Sequence, residues 1–300
     1  LYQNRLIVRS ASGSETITVR HLDTADNVSD SGVSDVYAVS ANRLWTQSGF
    51  ALLVWSGTTF SLSGGTLSVG SGILLDGSFR MGTGAVTLSG SWVDQTPNGG
   101  SFSGTNLVTF DGTSAIFTIR SRGSSFSGVT LDGISGTWQL LDATDVNGSF
   151  TLNSGTFEQG SQTLSIAGST RIAAGSTFSK STNDSVLTLD GDLTLEDEVG
   201  RSLGDLRIGR SPDTTTLSGA LRVDSLTVGT GDILVTNGYN VSVGTGGVRL
   251  HGNLNASDSG GRVSVITVSG SWIRSGTGDF TAGGSRVLFD GTGTGYLIAA

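Results

Sequence analysis

The chain has 300 residues, 47 of them Gly and 2 of them Pro, with a hydrophobic share of 36% and a charged share of 14%. This balance excludes a disordered tract, which needs more charge and fewer β-branched and aromatic residues. The absence of Cys excludes disulfides and thiolate metal sites, and a net charge of −8 with scattered basic residues excludes the electrostatic footprint of a nucleic-acid binder.

Residues 1–57 carry the least regular pattern and are read as irregular leading coils or a junction with a preceding domain. Within them Phe50-Ala51-Leu52-Leu53-Val54-Trp55 is the longest apolar run. It is far shorter than the roughly 18 apolar residues that cross a bilayer, so it reads as one buried strand and no membrane span is expected. The chain opens on Leu1 with neither a charged n-region nor an apolar h-region behind it. Any export signal is therefore expected outside this stretch, and the chain is read as a segment of a longer one.

From residue 58 to residue 300 a short pattern recurs: two apolar residues flank a small or polar one, then a turn residue and Gly follow. Copies in chain order are Val86-Thr87-Leu88-Ser89-Gly90, Val108-Thr109-Phe110-Asp111-Gly112, Val129-Thr130-Leu131-Asp132-Gly133, Leu187-Thr188-Leu189-Asp190-Gly191, Ile266-Thr267-Val268-Ser269-Gly270 and Val287-Leu288-Phe289-Asp290-Gly291. Alternation of this kind is strand periodicity, and Asp-Gly is a turn signal because Gly accepts φ > 0 while Asp bonds its own backbone. The first apolar residues fall at 67, 86, 108, 129 and 150, then at 187, 206, 226, 248, 266 and 287, a beat of about 20 residues. No window carries a helical period. Propeller blades need about 40 residues each and sandwiches have longer, irregularly spaced strands, so the unit is read as one coil of a solenoid. The fold class expected is all-β, a right-handed parallel β-helix (β-solenoid) of about 20 residues per coil.

Val86-Thr87-Leu88-Ser89-Gly90-Ser91-Trp92 matches Ile266-Thr267-Val268-Ser269-Gly270-Ser271-Trp272 at an offset of 180, and both copies continue through a Gly-rich turn and a Phe (Phe102, Phe280) to an Asp-Gly-Thr ending. By that ending the offset is 179, so one residue was gained or lost in a loop while the strands kept their pattern.

Gly-Ser-Trp, Phe-Thr-Ala-Gly-Gly-Ser (280–285), Val-Leu-Phe-Asp-Gly-Thr (287–292) and Thr-Asn-Gly-Tyr-Asn-Val-Ser-Val-Gly (236–244) resemble the β-strand repeats of large bacterial extracellular proteins, including adhesins and autotransporter-like passengers. The resemblance spans about Thr58 to Ala300. It implies a right-handed β-helix, secretion, an extracellular or cell-surface location and a structural or adhesive role, with self-association or a surface or glycan partner. The alternative is a glycan-binding or polysaccharide-degrading β-helix of the tailspike or lyase kind.

The turn row is the most orderly polar feature. Ser89, Asp111, Asp132 and Asn153 end successive strands, and Asp190, His251, Ser269 and Asp290 occupy like places later. They read first as turn formers. Asp111 and Asp132, one coil apart, are the only metal candidates, as a pair of carboxylates flanking Ca²⁺; no other cofactor is expected. The same pair, or Glu196-Asp197-Glu198, could serve acid/base chemistry. The acidic run reads better as a solvated loop, and no enzyme is expected because the loops are too short to wall a cleft. His21 and His251 are 230 residues apart, which rules against a two-His site, and the small metal cluster that His21 with Asp23 and Asp26 could suggest reads better as a polar loop. Trp45, Trp55, Trp92, Trp138 and Trp272 would stack sugars if exposed, but the matching positions of Trp92 and Trp272 favour packing.

Overall fold

The computed structural model describes residues 4–8, 45–48, 50–54, 59–62, 64–95, 101–180, 185–209, 212–257 and 260–299. Every regular element among them is a β-strand, and the strands pair in parallel with partners about one coil away. The expected all-β parallel solenoid is therefore the fold found. The chain divides into two compact units, residues 1–145 with 154–156, and residues 146–153 with 157–300.

Three ladders run through the first unit. The first stacks Trp45–Ser48, Thr66–Gly70, Ala85–Leu88, Val108–Phe110 and residues 129–131. Another takes Asn4–Val8, Phe50–Val54, Ile73–Leu75, Trp92–Asp94, Ile116–Arg120 and residues 137–140. The last takes Thr59–Ser61, Ser78–Gly82 and Ser101–Gly104. Most strands end at a corner before the chain turns onto the next face, but the strand Val129–Leu140 runs on from the first ladder into the second. The inward residues follow the two-residue alternation read from the sequence: Leu67 and Val69, then Val86 and Leu88, then Val108 and Phe110 are buried, while Ser68, Thr87 and Thr109 between them are half-exposed.

Aromatic rings fill the middle of this unit. Phe60 meets Phe79 with centroids 5.3 Å apart, Phe79 stacks on Trp92 at 5.9 Å, and Trp92 meets Phe102 edge-on at 4.8 Å and Phe126 at 5.3 Å. Rings of this size carry the largest apolar burial per residue, and edge-to-face pairs add specific attraction. The corner after the first ladder explains the recurrent Asp-Gly. A methyl group on Gly133 would lie 1.9 Å from the Gly112 carbonyl oxygen of the coil beside it and 2.7 Å from the Trp138 ring. Only a residue without Cβ lets neighbouring coils approach that closely there.

The second unit repeats the plan with a mainly aliphatic core, to which Phe150, Phe157, Phe178 and Trp272 add buried rings. One ladder joins Thr170–Ile172, Leu193–Asp197, Thr214–Leu217, Ile233–Val235, Asn253–Asn255 and Asp279–Thr281. Another joins residues 221–223, 241–243, Val265–Val268 and Arg286–Phe289. The last joins Leu164–Ile166, Val186–Leu189, Asp205–Ile208, residues 225–228, residues 247–250, Trp272–Arg274 and Ile298–Ala299. Leu187, Leu206, Leu226 and Val248 form one buried row and Leu189, Ile208, Val228 and Leu250 the next. Each such side chain contributes about 1.5–3 kcal/mol of burial.

These pairings revise the beat counted along the sequence. Positions 187, 206, 226 and 248 are successive coils of one ladder, but Val248 pairs with Trp272, whereas Ile266 pairs with Val241 and Val287 on another face. The step from 248 to 266 crosses to a different face of the following coil. All three faces use the same apolar-polar-apolar strand, so the local motif marks a strand without saying which face it joins.

Candidate functional site

The structure places Asp111 and Asp132 on adjacent coils, since Phe110 and Leu131 before them are paired. Asp111 is half-buried and Asp132 exposed. Ser89 Oγ donates to Asp111 Oδ1 at 2.7 Å, and Ser154 Oγ reaches Asp132 Oδ1 at 3.4 Å. Each carboxylate thus has one oxygen engaged by a neighbouring coil's hydroxyl. Among the described residues no three His, Asp or Glu side chains gather as a metal site requires.

The rest of the turn row is dispersed among faces. Ser269 Oγ donates to Asp290 Oδ1 at 2.7 Å, repeating the Ser89–Asp111 bond in the second unit. Asp190 and His251 follow the ladder that holds Leu189 and Leu250, with the coils of Ile208 and Val228 between them. His251 Nδ1 shares a 2.9 Å hydrogen bond with Ser275 Oγ. His21, Asp23, Asp26 and Trp55 lie outside the described residues, as does the side chain of Trp45.

Trp92, Trp138 and Trp272 are all buried, at 0%, 0% and 7% exposure. None offers a face to a sugar. Trp272 meets Phe280 edge-on at 5.2 Å, as Trp92 meets Phe102, so the internal copy extends to the packing of its rings.

Glu196-Asp197-Glu198 is not a solvated loop. It spans the end of the strand Leu193–Asp197, where alternation sends its members to opposite sides. Asp197 is buried and accepts Arg201 Nη1 at 2.7 Å, the Val199 amide at 3.2 Å and the Arg201 amide. Arg201 Nη2 in turn donates to the carbonyls of Ala173 and Ala174 at 2.9 and 2.8 Å, so the pair closes a corner between coils. On the outer side Arg171 ion-pairs with Glu196 at 3.5 Å and with Glu198. The Ala174 amide, donating to Glu198 Oε2 at 2.8 Å, and then Arg171 hold the Glu198 carboxyl below its usual range. The sequence signal for this clasp was present in the strand period of Leu193-Thr194-Leu195, which runs on into the acidic residues.

Two other ionisable groups are shifted. Lys180 is the only lysine of the chain. Burial lowers its ammonium from 10.5 to about 8, against the attraction of Asp205 and Asp224, while Nζ donates to the carbonyls of Ser185 and Asp205 at 2.9 and 3.0 Å. Asp232 is 2% exposed, and burial raises its carboxyl above the ordinary range despite the Asp213 amide donating to Oδ1 at 3.1 Å. Both groups satisfy backbone at coil corners, which is a structural use.

Strand pairing and core together define the class: a parallel β-solenoid whose coils present three faces. The chain matches no protein-family model, no curated protein and no solved structure.

Proposed function

We propose that the chain is a structural or adhesive β-solenoid of the bacterial cell exterior, self-associating through its sheet edges. The observation that carries this reading is where the polar and aromatic side chains are spent. The described tryptophans lie in the core, and Ser89, Asp111, Asp197 and Arg201 bind neighbouring coils. What remains outside is repetitive. Ser68, Thr87, Thr109 and Thr130 are cross-coil partners on the outer side of one ladder, a row of hydroxyls advancing one coil at a time. Such a surface suits contact spread along a solenoid better than chemistry held in a pocket.

Self-association draws support from exposed apolar side chains. Leu288, Phe289, Leu297 and Ile298 are exposed, and apolar strands of this kind add further strands readily. Sedimentation velocity over a hundredfold concentration range tests the reading. Growth of end-to-end oligomers is expected, and Leu288→Lys with Ile298→Lys should suppress it. A single monomeric species throughout would overturn self-association.

A further inference from the structure

In the second unit the outer side of one ladder carries two columns of cross-coil partners: Asp205, Ser225 and Gly247 in one, Arg207, Thr227 and Arg249 in the other. Thr227 is short and both flanking arginines are long. Two coils separate the arginines, roughly 10 Å at one strand spacing per coil. The missing bulk at Thr227 and Gly247 leaves a groove of about 490 Å³, bordered by Asp205, Asp224, Ser225, Thr227, Gly247 and Arg249.

Its carboxylates are held in place. Ser225 Oγ donates to Asp205 Oδ1 at 2.6 Å and Ser202 Oγ to Asp224 Oδ1 at 3.2 Å. A carboxylate offers about four acceptor positions, so each keeps capacity to accept from a ligand beside its serine. Arg249 is exposed and supplies donors, and Thr227 and Ser225 supply hydroxyls.

Charge decides the ligand class. An anion would face Asp205 and Asp224, and a cation would face Arg249 and the neighbouring Lys180 ammonium, so either would be opposed inside the groove. An uncharged molecule dense in hydroxyls meets neither obstacle and can donate to the carboxylates while accepting from the guanidinium. We propose that this groove binds an uncharged hexose unit of a glycan. The inference rests on the adhesive reading for its role and gives that reading a named site. No aromatic face supports the sugar, so one site binds weakly, and many copies presented together supply avidity.

Saturation-transfer NMR and calorimetry on the whole chain, with cellotetraose, maltotetraose and chitotetraose as probes, test the proposal. At least one tetrasaccharide should bind, at least tenfold more weakly in Asp224→Asn and not measurably in Thr227→Glu. The Glu side chain would fill the groove between Arg207 and Arg249, its carboxylate facing Asp205 and Asp224 as well as the two guanidinium groups, so the unfolding temperature of this variant is read beside binding to show that it folds. Silence from all three probes, or equal binding by Thr227→Glu, overturns the site. Neither variant alters the strands Arg286–Phe289 and Ile298–Ala299, so sedimentation of the same proteins reports separately on self-association.

Discussion

Ser89 and Asp111 lie one coil apart and are joined by a 2.7 Å hydrogen bond from the serine hydroxyl to the carboxylate. Ser269 and Asp290 are joined the same way at the same distance. The polar residue at this corner therefore ties each coil to the one beside it, in addition to serving its own turn. Ser89→Ala and Asp111→Ala should each destabilise by about 1 kcal/mol, the usual net worth of a partly exposed hydrogen bond. The double variant should cost less than the sum, because either change alone removes the shared bond. Urea unfolding of the four proteins checks this, and full additivity would count against a direct link.

Glycines in this fold differ sharply in what they tolerate. Gly133→Ala would set a methyl group 1.9 Å from the Gly112 oxygen, and backbone on an adjacent coil has nowhere to move. A loss above about 3 kcal/mol is expected, comparable with overpacking a tight core. At Gly175 nothing lies within 4 Å of an added Cβ and no positive φ is required. Gly175→Ala should be neutral or stabilise by a few tenths of a kcal/mol through the unfolded chain. Similar thermal midpoints for the two variants would refute the stacked-corner account.

Trp92 sits at the centre of the ring cluster formed by Phe79, Phe102 and Phe126. Trp92→Ala should cost about 3–5 kcal/mol, the range for emptying a large aromatic site. Trp92→Phe should cost much less, because it keeps a ring and removes an indole N–H that is buried without a hydrogen-bond partner. Chemical denaturation ranks the two; equal losses would mean that ring contacts do not hold this core.

Lys180 gives the fold a readable pH dependence. Its pKa is about 8 in the folded chain against 10.5 as the unperturbed value. Between those values the unfolded chain binds more protons than the folded one, so this group makes stability rise with pH. The cost of its buried charge is present in full below pH 8 and gone above pH 10.5. The difference in urea midpoint between the natural chain and Lys180→Met, followed from pH 7.5 to 10.5, should isolate this rise. A difference that stays flat would mean that Lys180 titrates as it does in water.

Strand period, Gly-marked corners and a coil of about 20 residues are local properties, and all three were legible in the sequence. A strand can be recognised from Val86-Thr87-Leu88 alone because its alternation needs no partner. The cross-coil positions of Asp111 and Asp132, and the core placement of Trp92 and Trp272, also followed from that reading. The assignment of strands to faces did not. Ile266 and Val248 carry equivalent motifs, yet they lie in different ladders, and only the completed pairing distinguishes them. The acidic run at 196–198 is a further case. Its charges suggested solvent, but Asp197 faces inward to Arg201 because strand alternation and the corner at 197–201 place it there. The groove beside Thr227 belongs wholly to the tertiary structure. Asp205, Thr227 and Arg249 are about one coil apart in sequence, and they share a surface only because parallel stacking converts a coil of chain into a single strand spacing. The sequence by itself determined the strands and their corners; the stacking of coils decided which side chains meet.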